Sequence, residues 1–150
     1  MQQSTTDTRQ LCDGRRLRVA HLGVGLGFVV IFLLTGQYME RYLDRLQSTP
    51  DPTRMLYRST HIYLLWSALL NLALGLYLQL FPGGWRRTIQ AIGSIMVLGG
   101  PLVLTIAFFH EPSLQGLLRP LSRPAIYAAF GGLLLHALTR VALTRDRSVR

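Results

Sequence analysis

The chain has 150 residues, 49% of them hydrophobic, and its net charge of +9 comes from 16 arginines, with no lysine, against 7 acids. Four long apolar runs leave no length for a sizeable soluble domain. The arginines lie in tails and loops, without the aromatic interleaving or helix-turn-helix context of a nucleic-acid surface, so no nucleic-acid partner is expected. A single cysteine, Cys12, excludes an internal disulfide.

The tail 1–16 is polar and is expected to fray. The first apolar run, Leu17–Gly36, follows Arg15, Arg16 and Arg18. This order resembles a signal peptide, but the run is too long for a typical h-region and ends without a small-x-small cleavage site. It reads as a retained first span, since about 20 helical residues cross a hydrocarbon core of roughly 30 Å. Gly23, Gly25 and Gly27 have no preceding strand, so a nucleotide loop fails on context. Gly23 and Gly27 read instead as a small-xxx-small pair that admits a close helix neighbour.

In the stretch 37–48, Tyr38, Met39, Tyr42, Leu43 and Leu46 recur at helical spacing among charged residues. An amphipathic segment is expected there, at the outer surface. Thr49-Pro50-Asp51-Pro52 ends it, with Asp51 as N-cap and Pro52 as first residue of the next helix. The second span is Thr60–Phe81, its helix starting a turn or two earlier. Pro82-Gly83-Gly84 breaks the chain, and Trp85 is placed as an interfacial anchor.

The third span, Thr88–Phe109, holds Pro101, which predicts a kink that serves packing. A short loop, 111–123, leads through Ser122 as N-cap into the fourth span, Pro124–Leu143, and a basic tail, 144–150. None of the four runs contains Asp, Glu or Lys. Arg18 and Arg140 sit near their ends, where they can snorkel.

The expected fold is all-α: an antiparallel bundle of four transmembrane helices over 17–143, with the amphipathic stretch after the first. With the N-terminus inside, 10 arginines lie on the inner side and 6 on the outer. The positive-inside rule then puts both termini in the cytoplasm of a cell whose inner membrane holds the protein.

Each span carries or adjoins one histidine. His21 and His136 fall toward the inner side, His61 and His110 toward the outer. Two stacked His–His pairs, His21 with His136 and His61 with His110, are what two b-type haems would need. Small residues on the same faces, among them Gly25, Gly99, Ala129 and Gly132, would leave room for a porphyrin or would let helices pack closely. A metal site from His61, His110 and Glu111 lacks a fourth ligand. Structural histidines in a packed bundle are the leading reading. Asn71, near mid-span, and Gln90 are expected to hydrogen-bond between helices. Lining a polar pathway is the sharper use of Asn71, but it has no ionisable neighbour in its span and the chain shows no inverted repeat. No Ser-His-Asp set, HExxH or CxxC is present, so hydrolytic chemistry has no machinery.

The segments 34–39 (Leu-Thr-Gly-Gln-Tyr-Met), 54–63 (Arg-Met-Leu-Tyr-Arg-Ser-Thr-His-Ile-Tyr) and 71–75 (Asn-Leu-Ala-Leu-Gly) resemble a group of small, uncharacterised bacterial four-span membrane proteins. The likeness covers spans one and two and implies no activity. It singles out Arg58, Ser59 and His61 as a unit, with Arg58 placed to hold a lipid phosphate or the Glu111 carboxylate. The functional expectation is a small non-catalytic membrane protein, an accessory subunit that packs on a membrane partner or on its own copies through glycine and alanine faces. The alternative is a diheme b-type electron carrier.

Overall fold

The computed structural model describes residues 2–43, 45, 47–80, 84–114 and 117–147, with side chains described only between positions 14 and 140. The fold is all-helical: α1 Gln2–Arg41, α2 Asp51–Tyr77, α3 Gly84–His110 and α4 Ser122–Arg147, with a 3-10 turn at Glu111–Ser113. Among the described residues three stretches are long and apolar enough to cross a membrane: Gly14–Arg41, Asp51–Tyr77 and Gly84–Ser113. The apolar part of α4 continues past Arg140, and positions 141–143 of the expected fourth span lie outside the described side chains.

Several helix ends differ from expectation. The tail expected to fray is helical from Gln2. With no proline before position 50, a helix nucleated further on can extend backwards without a new nucleation cost. The amphipathic stretch is helical only to Arg41. Tyr42 still donates its amide to the Tyr38 carbonyl at 3.0 Å, and Arg45 then turns at φ 52. Asp44 and Leu46 lie outside the described residues.

Helix α2 is capped by Pro50 rather than Asp51. Asp51 instead stands in the first turn and pairs with Arg54. The chain leaves α2 after Tyr77, with Leu78 donating back to the Leu74 carbonyl, so the expected run to Phe81 stops short. The break at 81–83 is outside the described residues, and Gly84 takes φ 70 at the start of α3. Helix α3 passes unbroken through Pro101, with Thr105 Oγ1 donating to the Pro101 carbonyl at 2.9 Å.

Glycines set the helix pairing. A Cβ on Gly25 would lie 2.7 Å from the Leu72 side chain, and one on Gly75 would lie 2.9 Å from the Leu22 backbone nitrogen. Gly36 faces His61. Positions rise along α1 as they fall along α2, so these two helices run in opposite directions. Gly93 and Gly132 face each other, and a Cβ on Gly93 would come within 2.8 Å of the Gly132 carbonyl oxygen. Gly100 opposes Ala129, which makes α3 and α4 antiparallel too. The two hairpins meet chiefly through α2 and α3.

Gly23 and Gly27, the pair expected to admit a neighbour, have nothing within 4 Å of an added Cβ. The close approach is made by Gly25 instead, because it shares a face with the buried His21 and Phe28.

Two apolar clusters fill the interior. One draws Phe28, Leu64, Ala68, Leu104, Phe108 and Ala125 from all four helices. The other holds Leu74, Leu78 and Val97. On α2, Asn71 falls between Ala68 of the first cluster and Leu74 of the second, and the buried polar groups described next form a layer around it. Large apolar side chains such as Leu26, Leu33, Ile95 and Leu134 are exposed on the outside.

Candidate functional site

The layer begins with Asn71. Its Nδ2 donates to the Ser67 carbonyl at 2.9 Å within α2 and to the Val97 carbonyl of α3 at 3.0 Å. That fixes the amide orientation and turns Oδ1 towards α1, where it lies 2.8 Å from His21 Nδ1. An amide oxygen only accepts, so Nδ1 carries the proton and donates. In the neutral ring the lone pair then resides on Nε2, which is buried and has no partner. A turn away from Val97, Ser94 Oγ lies 3.1 Å from His136 Nε2 on α4, and His136 Nδ1 is likewise buried without a partner. Both imidazoles are interior.

The structure thus gathers His21, Asn71 and His136 in the interior together with Ser67, on the α2 face that helix periodicity marks as internal, and Ser94, which sequence reasoning passed over. Ser94 was detectable as a second polar residue on the buried α3 face that carries Gln90, Val97 and Pro101. Gln90, expected to bond between helices, donates to the Gln79 carbonyl just beyond α2 at 3.0 Å. The small residues near His136 do not open a space: Gly132 and Ala129 are spent on contact with α3. The groove beside His136, between Leu74, Gln90, Leu133 and Arg140, is about 180 Å³.

His61 and His110 go separate ways. His61 stacks on Phe32 with ring centroids 4.1 Å apart, and its Nδ1 is 3.0 Å from Thr35 Oγ1. It is taken up by α1. His110 is exposed at the end of α3, where its carbonyl accepts from Ser113 Oγ at 2.7 Å. Among the described residues no three His, Cys, Asp or Glu side chains come together as a metal site, so His61, His110 and Glu111 are not assembled into one.

Glu111 is wholly buried and serves the backbone. Its Oε1 accepts from the amides of Leu121 and Ser122 at 2.9 and 2.7 Å. It therefore caps α4 from the preceding turn, the task expected of Ser122, whose own Oγ is buried without a partner. Arg58 is exposed and makes no ion pair with Glu111; the ion pairs among the described residues are Arg45–Glu40 and Arg54–Asp51.

At the other end, Arg18 and Arg140 do more than snorkel. Arg18 donates to the carbonyls of Gly75 and Leu76 at 3.1 and 2.9 Å, and Arg140 to that of Tyr77 at 3.1 Å. Cations from α1 and α4 thereby satisfy the last carbonyls of α2, where the helix dipole is negative.

Comparison of the chain with protein-family models, with curated proteins and with solved structures finds no match.

Proposed function

We propose that the chain is a multi-pass protein of a bacterial inner membrane, an antiparallel bundle of four spans with both termini cytoplasmic. On this reading it acts as a non-catalytic accessory subunit that docks on a membrane partner through α1. The fourth span is argued from the apolar composition of α4 and its pairing with α3. The orientation rests on the arginine count, with Arg86 and Arg87, in the first turn of α3 just after the short connection from α2, weighing most.

One observation carries the subunit reading. In the most apolar stretch of α1 only 17% of residues are buried, against 39% and 44% in those of α2 and α3, and its outer face presents Gly23 and Gly27 to open space. Small residues on an otherwise uncovered apolar helix let a second helix approach closely in lipid. Reporter fusions after Arg87 and after Arg150 test the topology; both should report cytoplasm. Co-purification in mild detergent tests the docking. A partner or second copy should be retained by the unaltered chain and lost with Gly23→Leu/Gly27→Leu. A strictly monomeric particle that turns over a substrate would overturn the reading.

A second reading, a b-type haem held by His21 and His136, is favoured by their unpartnered buried nitrogens. A histidine ligand commonly donates its other ring N–H to an oxygen, as His21 does to Asn71. The groove at His136 is smaller than the roughly 300–1,000 Å³ of typical ligand pockets, so a porphyrin would require the hairpins to part. The second haem of a diheme carrier finds less: His61 is engaged by Thr35 and Phe32. A visible spectrum of protein from haem-replete cells decides the matter. A low-spin bis-histidine band lost in His136→Ala would establish the haem, and a colourless preparation would end this reading.

A further inference from the structure

Helices α2 and α4 touch only sparingly, and between them, at the end where α4 begins, is a cleft of about 420 Å³. Its rim carries Arg119 and Arg123, and its lining includes Met55, Tyr63, Ser122 and Ile126. Three facts bear on its occupant. First, neither arginine has an ion-pair partner among the described residues. Among the described residues the acids of this end are committed: Glu40 to Arg45, Asp51 to Arg54, and Glu111 Oε1 to two backbone amides. Second, Ser122 Oγ is fully buried and unpartnered while its residue lines the cleft, so a hydrogen-bonding group there is unserved. Third, the cleft joins this cationic rim to an apolar wall, which suits an amphiphile rather than a small ion.

We propose that this cleft binds an anionic phospholipid, its phosphate held between Arg119 and Arg123 with Ser122 beside them and its acyl chains lying along Met55 and Ile126. Guanidinium groups match phosphate oxygens with paired donors, and two of them outweigh the single negative charge of Glu111 behind the α4 cap. This site presupposes membrane insertion but not the subunit reading, since it lies between α2 and α4 rather than on the outer face of α1.

The test uses the full chain in a mild detergent, with phosphatidylglycerol or phosphatidylcholine added and retained lipid read by native mass spectrometry. Phosphatidylglycerol should be retained in preference. Removing two charge-assisted contacts in Arg119→Gln/Arg123→Gln should cut that retention about tenfold or more. Arg15→Gln/Arg16→Gln, at the opposite end, should leave it unchanged. Circular dichroism shows whether each variant keeps its helices, and the paired lysine variants, which keep the charge, should retain an intermediate amount. Equal retention of the two lipids, or an unchanged Arg119→Gln/Arg123→Gln variant, would overturn the site. Saturable binding of inorganic phosphate that phosphatidylglycerol does not compete away would overturn it as a lipid site. Alkaline extraction of membranes reads insertion separately: an extracted chain overturns the membrane reading itself, whereas an inserted chain without lipid preference overturns the site alone.

Discussion

His21 Nδ1 and Asn71 Oδ1 meet at 2.8 Å across the α1–α2 contact, and both residues are fully buried. The same amide reaches α3 through the Val97 carbonyl, so one side chain on α2 fastens the helices on both sides of it. Two turns of geometry follow from this. The bond fixes which imidazole nitrogen bears the proton, and it sets the register between α1 and α2 at the level of Gly25 and Leu72.

Replacing Asn71 with Leu is therefore expected to destabilise the protein in detergent by about 1–3 kcal/mol, because it strands the His21 N–H in the interior. Removing both partners, His21→Leu with Asn71→Leu, should cost less than the sum of the single changes, since no buried donor is then left alone. Thermal unfolding of the four proteins in a double-mutant cycle measures the coupling. Strict additivity would show that the bond contributes nothing.

The glycines of α1 divide into two kinds, and the division can be read by substitution. Gly25→Leu forces a side chain against Leu72 and its backbone, an overpacking that should cost about 1–3 kcal/mol or more. Gly23→Leu and Gly27→Leu meet nothing within 4 Å and should change the stability of the isolated chain by no more than about 0.5 kcal/mol. Melting temperatures in one detergent distinguish the three. Loss of stability at Gly23 equal to that at Gly25 would contradict the pairing described.

Much of this arrangement was legible in the sequence, for reasons that differ by element. Helix periodicity announces which face of α2 is internal, and Leu64, Ser67, Ala68, Asn71 and Gly75 are all buried. Asn71 was recognisable as an interhelical donor because an amide in an apolar run has few other uses. Which glycine would be used was not legible, since Gly23, Gly25 and Gly27 differ only in the angle at which α1 faces its neighbour. The histidine pairs show the same limit. Depth along a span put both His21 and His136 toward the inner side, but depth says nothing of azimuth, and His61 turns to α1. The functions of Arg18, Arg140 and Glu111 depend on where the preceding helix stops. Helix ends are the feature that local sequence specifies least well, as the shift of the α2 cap from Asp51 to Pro50 illustrates.

The two arginines at the end of α2 should act jointly. Arg18→Gln and Arg140→Gln each remove donors from the carbonyls of Gly75, Leu76 or Tyr77. Each should cost about 0.3–1 kcal/mol if the site is as exposed as the C-terminus of a surface helix. The double variant should increase hydrogen exchange at the last turn of α2, while the amides near Leu64 stay protected. Uniform loss of protection along α2 would mean that the arginines hold the whole bundle together rather than capping one helix.

Glu111 offers the sharpest separation of a local cap from a global charge. Its Oε1 serves the amides of Leu121 and Ser122, while Oε2 is buried without a partner. Glu111→Ala removes the acceptor and leaves two amides unserved at the start of α4, which should cost about 1–2 kcal/mol. Glu111→Gln keeps an oxygen that can accept both bonds and removes an uncompensated buried charge, so it should lie within about 1 kcal/mol of the unaltered protein on either side. Hydrogen exchange at Leu121 and Ser122 checks the mechanism directly: exchange there should accelerate in Glu111→Ala and remain slow in Glu111→Gln. If the two variants instead lost stability equally while both amides stayed protected, the carboxylate would be acting through its charge, and the capping role assigned to it would fail.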